Sequence, residues 1–110
     1  MHIDAAVSSA YICNDLPWDQ AYEHVLTMQH HSAVSFSDPV TQVAYGEVPV
    51  SYIVCENDMI VAPDVQRKFV KVLEEANKHV HAVSFDCGHC PNFSKPEEVV
   101  EVLAAEVERN

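Results

Sequence analysis

Two short apolar runs bracket a helical stretch between residues 48 and 89, and this constrains the fold more than any other feature of the chain. One run, Val50–Cys55, reads Val-Ser-Tyr-Ile-Val-Cys; the other, Val80–Phe85, reads Val-His-Ala-Val-Ser-Phe. Both are rich in β-branched and aromatic residues and give way to polar ones, which is the pattern of a strand. Between them, residues 63–77 open on Pro63 and carry apolar side chains at spacings of three and four, which predicts a helix. A strand, a crossover helix and a strand predict two parallel strands with a right-handed connection. The expected fold class is α/β: a short parallel β-α-β-α unit over residues 48–110, preceded by helices over residues 1–47, in one compact domain.

Each strand delivers one titratable residue just past its C-terminal end, Asp58 after the first and His89 after the second. Parallel sheets collect catalytic and ligand-binding groups at that edge. An acid that fixes the tautomer of a histidine and stabilises its imidazolium is two parts of a nucleophile-activating triad. Asp58 and His89 are therefore the candidate catalytic residues, with His89 as general base. The plainer alternatives are a turn residue at 58 and a loop residue packed on the last helix at 89.

The motifs Val48-Pro49, Glu56-Asn57-Asp58 with Pro63, Asp86-x-Gly88-His89-x-Pro91 and Ser94-x-Pro96-Glu97-Glu98 resemble the C-terminal portion of α/β-hydrolases. The likeness is to small-molecule esterases of the plant methylesterase type and their fungal relatives, and it covers about residues 14–107. The resemblance implies an acid after the seventh strand and a histidine after the eighth, the positions of Asp58 and His89. It also implies that the helical segment before residue 48 belongs to a lid. The family's nucleophile sits in Gly-x-Ser-x-Gly on a tight strand-to-helix turn. This chain has two glycines, Gly46 and Gly88, so that elbow cannot be written. The sequence looks like the last part of a hydrolase without its first part.

Cys87-Gly88-His89-Cys90 competes for attention, because a C-x-x-C after a strand also serves thiol–disulfide oxidoreductases. The surroundings oppose it. Only a loop and one helix follow, and Pro91 pushes Cys90 towards an extended conformation. A zinc site from His79, His81, Cys87 and Cys90 meets a distance problem. The histidines precede the strand body and the cysteines follow it, about 20 Å apart at strand rise. Cys13 and Cys55 read as small buried apolar residues. No metal and no cofactor are expected.

The remaining elements follow from local signals. Residues 1–12 are small and apolar and fit either a helix or a strand. Asn14-Asp15 with Pro17 predicts a helix over residues 16–30, with Leu16, Trp18, Ala21, Tyr22, Val25 and Met28 as its stripe. His30-His31 at its end suits the negative end of the helix dipole. Ser37-Asp38-Pro39 predicts a short helix within residues 35–45, broken by Gly46. The crossover helix has Val65, Phe69, Val72, Leu73 and Ala76 as its apolar stripe and Asn77 as its stop. Ser94 with Glu97 gives a capping box for the last helix, whose buried face is read as Val99, Val100, Leu103, Ala104 and Val107.

The formal charge of −11 opposes binding to nucleic acid or to an anionic membrane surface. With no basic leader ahead of a long apolar core, the expected location is cytoplasmic. Asn92-Phe93-Ser94 matches a glycosylation acceptor, which a cytoplasmic location leaves unused. Three functions remain. The first is a hydrolase acting on a small-molecule ester or related carbonyl substrate through Asp58 and His89, or a cofactor-free lyase or isomerase using the same pair. The second is a non-catalytic module or truncated hydrolase fragment that pairs as a homodimer through the open edge of Val50–Cys55. The third is the thiol–disulfide oxidoreductase.

Overall fold

The computed structural model describes residues 4–109. Helix α1 spans Ala5–Ile12 and α2 spans Trp18–Leu26; a single 3-10 turn follows at Val34–Phe36. Strand β1 is Val50–Cys55, α3 is Pro63–Ala76, and β2 is Val80–Phe85. A short α4, Pro91–Ser94, and α5, Pro96–Arg109, complete the chain. β1 and β2 form a two-stranded parallel sheet, in register from Val50 opposite Val80 to Cys55 opposite Phe85. The α/β reading and both strand boundaries hold.

At the front, the choice between helix and strand is settled for the described residues. Asp4 accepts from the amides of Ala6 and Val7 and so starts α1, and residues 1–3 lie outside the described residues. The helix read over residues 16–30 is shorter at both ends. Asn14 and Asp15 do not cap it; Pro17 is the residue before its first turn. At the far end the Thr27 hydroxyl donates to the His24 carbonyl at 2.7 Å, which diverts a helical acceptor. The stripe itself is right apart from Trp18, which is 59% exposed and stacks on Tyr22. Cys13, Ala21 and Val25 form a buried cluster, against which Leu16, Met28, Cys90 and Phe93 pack. The helix read over residues 35–45 is absent. Val34–Phe36 makes one 3-10 turn, which ends where the Ser37-Asp38-Pro39 signal begins.

In α3 the helix stops as expected. The Asn77 amide donates to the Leu73 carbonyl at 2.8 Å while Asn77 itself is extended. Its side chain also donates to the carbonyls of Tyr45 and Val48, tying the approach to β1 onto the end of α3. The buried face of α3 differs from the stripe read. Gln66 and Val70 are buried, whereas Phe69 and Val72 are about half exposed. Helix α5 is also rotated from expectation. Val100, Leu103 and Val107 are exposed, and Val99, Val102, Ala105 and Glu106 are partly covered. On the covered side Glu106 pairs with His81 of β2 at 2.8 Å. The capping box is not built. Ser94 closes α4 instead, and its buried hydroxyl makes no hydrogen bond. No helix among the described residues is long and apolar enough to cross a membrane.

Candidate functional site

The parallel ladder continues past the ends of both strands, and this brings Asp58 and His89 together. Glu56 N–H donates to Phe85 O at 2.9 Å, and Asn57 N–H to Cys87 O at 3.0 Å. The Asn57 side chain also donates to the Asp86 carboxylate. Two loops stitched in this way leave the strands side by side. Asp58 then lies three residues past Cys55, and His89 four past Phe85, with His89 Nδ1 at 2.9 Å from Asp58 Oδ2.

Asp58 is buried, with its side chain only 4% exposed, and both of its oxygens are fully engaged. Oδ1 accepts from the amides of Ile60 and Val61 at 2.8 and 3.0 Å. Oδ2 accepts from His89 and from Gln66 Nε2, the latter at 3.0 Å. Burial pushes the carboxyl pKa up, but the bonds from His89, Val61 and Ile60 outweigh burial and hold it below the usual carboxylate range. An ionised carboxylate only accepts, so Nδ1 of His89 carries the proton. Nε2 is thereby left as the basic nitrogen, on a side chain that is 34% exposed and so within reach of a small molecule.

Gln66 was not marked by the sequence reading. It is 3% exposed, and its amide serves Asp58, the Val61 carbonyl at 2.7 Å, and both the N–H and the C=O of Cys55. The sequence signal for it is a lone amide at the start of a second apolar spacing, Gln66, Val70 and Leu73. Glu106, which pairs with His81, is likewise not marked by the sequence reading.

The thiols are in the opposite state to those of a redox motif. Cys87 is fully buried, and burial raises its pKa. Burial, together with the neighbouring Cys13, pushes the Cys90 thiol up to about 11. Burial, with Cys87 alongside, pushes Cys55 up to about 12. The thiolate is the reactive form, so these groups are poor nucleophiles at neutral pH. Cys90 precedes α4 in a non-helical conformation. Of the zinc candidates, His81 is bound to Glu106. Among the described residues no group of three or more His, Cys, Asp and Glu is placed to hold a metal ion. His31 packs against Phe36 and lies with its Nδ1 2.9 Å from the Ser32 carbonyl.

Neither the cleft of about 440 Å³ between α1 and α2 nor the one of about 300 Å³ beside Tyr52 and Phe69 is lined by Asp58 or His89. The pair therefore stands at the sheet's C-terminal edge without a cavity of its own in either of these clefts.

Comparison with known proteins bears on the same region. The chain is 53% identical over 105 residues to a probable hydrolase R7 of Phoma sp. (strain ATCC 20986 / MF5453), a match covering 94% of this chain and 43% of that protein. It is 33% identical over 69 residues to the alpha/beta hydrolase nvfD of Aspergillus novofumigatus (strain IBT 16806), covering 63% of this chain and 26% of that protein. The chain thus spans less than half the length of either relative. The profile of the alpha/beta hydrolase family matches residues 4–102, and by that match and these relatives the chain belongs to the alpha/beta hydrolase family.

Proposed function

We propose that this chain carries the acid–base pair of a hydrolase acting on a small-molecule ester or related carbonyl compound. The observation that carries the reading is the Asp58–His89 hydrogen bond of 2.9 Å, with every other acceptor position of Asp58 already taken. His89 Nε2 removes the proton from the attacking hydroxyl or water and later returns it to the leaving alkoxide. Asp58 stays ionised, holds the ring and stabilises the imidazolium between those two transfers. The nucleophile and the pocket walls come from polypeptide outside these residues, or the nucleophile is water. Residues 1–47 act as a lid-like segment over the pair. The chain works in the cytoplasm, which its four cysteines, all outside any disulfide, suit.

The test is hydrolysis of an activated aryl ester by the folded chain, alone and with polypeptide supplying the first part of a related hydrolase. The expected result is turnover that falls by about 100-fold or more in His89→Ala and persists in Cys87→Ser/Cys90→Ser. Turnover unchanged in His89→Ala, or lost only in the cysteine variant, overturns the reading.

A second reading is a non-catalytic module that pairs through the open edge of β1. It is favoured by the exposed apolar residues on the segment before β1 and on α3 and α5, among them Phe36, Val40, Phe69, Val72 and Leu103. Large exposed apolar areas mark association surfaces. Absence of ester turnover under both conditions favours this module.

A further inference from the structure

Asn14 and Asp15 are adjacent in the chain, and each grips the residue immediately before one member of the pair. Asn14 Nδ2 donates to the carbonyl of Asn57 at 2.9 Å, and Asn57 precedes Asp58. The amide of Gly88 donates to Asp15 Oδ2 at 2.7 Å, and Gly88 precedes His89. We propose that Asn14 and Asp15 are positioning residues, one dipeptide that sets the gap between the Asp58 loop and the His89 loop. This rests on the reading of Asp58 and His89 as an acid–base pair.

Three further observations support the clamp. First, its root is fixed. Cys13, just before it, is 1% exposed within the buried cluster of α2, and Leu16 N–H closes the turn by donating to Cys13 O at 3.1 Å. Second, the far side of the His89 loop is held by the same helix. The Phe93 ring stacks on His24 of α2 at 4.1 Å, and Cys90 packs on the cluster. Both ends of the loop are thus tied to the same buried cluster and to α2, which packs in it. Third, Gly88 is shaped to the clamp. Its backbone is not in the left-handed region, so conformational freedom does not explain the glycine. Space does: a Cβ there would meet Asn14 Oδ1 and lie 2.7 Å from Asp15 Oδ1. The bond to Asp15 joins an amide to a charged acceptor, the stronger class of hydrogen bond. It is made across 73 positions of sequence, so it holds tertiary structure and not a local turn.

The consequence is chemical. The tautomer of a neutral histidine is set by the hydrogen bond that its other nitrogen makes. If the clamp sets the distance from Nδ1 to Asp58, loosening it frees the imidazole to move its proton to Nε2. The base nitrogen is then lost even though Asp58 and His89 are both present.

The experiment reads the ring nitrogens of His89 by 15N NMR in the folded chain at a pH where the imidazole is neutral, with His89→Ala supplying the assignment. The wild type is expected to carry its proton on Nδ1. In Asn14→Ala/Asp15→Ala the Nε2-protonated tautomer is expected to become the major form. Asp15→Asn, which keeps an acceptor oxygen, is expected to restore most of the wild-type state. Gly88→Ala approaches the same contact from the other side and displaces only the ends of flexible side chains. It is expected to shift the tautomer in the same direction, and it reads the clamp if the double variant does not fold. An unchanged Nδ1 tautomer in Gly88→Ala, or in a folded double variant, overturns the clamp while leaving the pair intact. Protonation on Nε2 in the wild type overturns the pairing itself, and with it both readings.

Discussion

Asp58 is the residue whose protonation couples the site to stability. Its folded pKa is depressed, because hydrogen bonds to the carboxylate outweigh the burial that opposes its charge. In the unfolded chain an aspartate titrates near about 3.9. The ionised form therefore favours the fold at any pH above that value, and the contribution is lost as pH falls through the lower folded value. Glu56, held down by Ser84 and Arg67, and Glu106, held down by Ser51 and His81, also titrate below their ordinary value. A substitution is needed to separate Asp58 from these two. Asp58→Asn is expected to lower stability at pH 7 by about 1–3 kcal/mol, the worth of hydrogen bonds to a charged acceptor. It is also expected to make the loss below about pH 4 shallower. Urea unfolding from pH 7 to pH 3 measures both, and a deficit of equal size at the two extremes would show that carboxylate ionisation contributes nothing.

Among the elements, the end of β1 is where the sheet and helix α3 are locked. Cys55 N–H donates to Gln66 Oε1 at 2.9 Å, and Gln66 Nε2 donates to Cys55 O at 3.2 Å. One side-chain amide thereby stands in for the next strand at this position and blunts the edge just where Asp58 departs. Gln66→Leu keeps the bulk but leaves the buried Cys55 amide unpaired. It is expected to cost about 2–3 kcal/mol, since a buried donor left without a partner carries its whole desolvation penalty. Thermal unfolding against the wild type checks it, with Gln66→Glu as a comparison that retains an acceptor for Cys55. A Gln66→Leu chain as stable as the wild type would remove Gln66 from this role. Helix α5 likewise carries a polar contact on its covered side, Glu106 with His81, while Leu103 and Val107 lie outward.

For the whole molecule, the dimensions are telling. The radius of gyration is 15.5 Å, against about 13 Å for a self-contained domain near this length. Few side chains are fully buried, and large apolar residues remain exposed on several elements. A two-stranded sheet is also thin support for independent stability. Along β1, Val50 and Glu56 direct their N–H groups to the β2 side. Alternation in a parallel pair then turns those of Ser51 and Ile53 to the open edge. We expect a homodimer through this edge in the absence of other polypeptide. Ile53→Pro removes an outward donor without touching the β2 ladder, because proline is tolerated on an edge. Sedimentation at micromolar concentration is expected to show a dimer for the wild type and a monomer for the variant. A wild-type monomer at that concentration, or a variant that still dimerises, would exclude pairing by this edge.

The sequence by itself determined the strands, the crossover helix, the parallel order, and the places of Asp58 and His89 just past the strand ends. These are legible because β-branched runs and helical spacing are local signals, and because parallel strands must end on the same side. The sequence also placed α2 but overran it, since the Thr27 hydroxyl competes for a helical carbonyl in a way that spacing does not register. Only the tertiary structure decided what holds the site. Gln66, Asn14 and Asp15 act across 8, 43 and 73 positions, on partners that periodicity cannot pair. The same holds for the faces of α3 and α5. On α3 the polar Gln66 finds a buried partner at Cys55, and on α5 Glu106 meets the partly exposed His81. An unpaired polar group in the interior costs more than an exposed valine, so the bonds from Gln66 to Cys55, and not the apolar stripe, set how α3 lies.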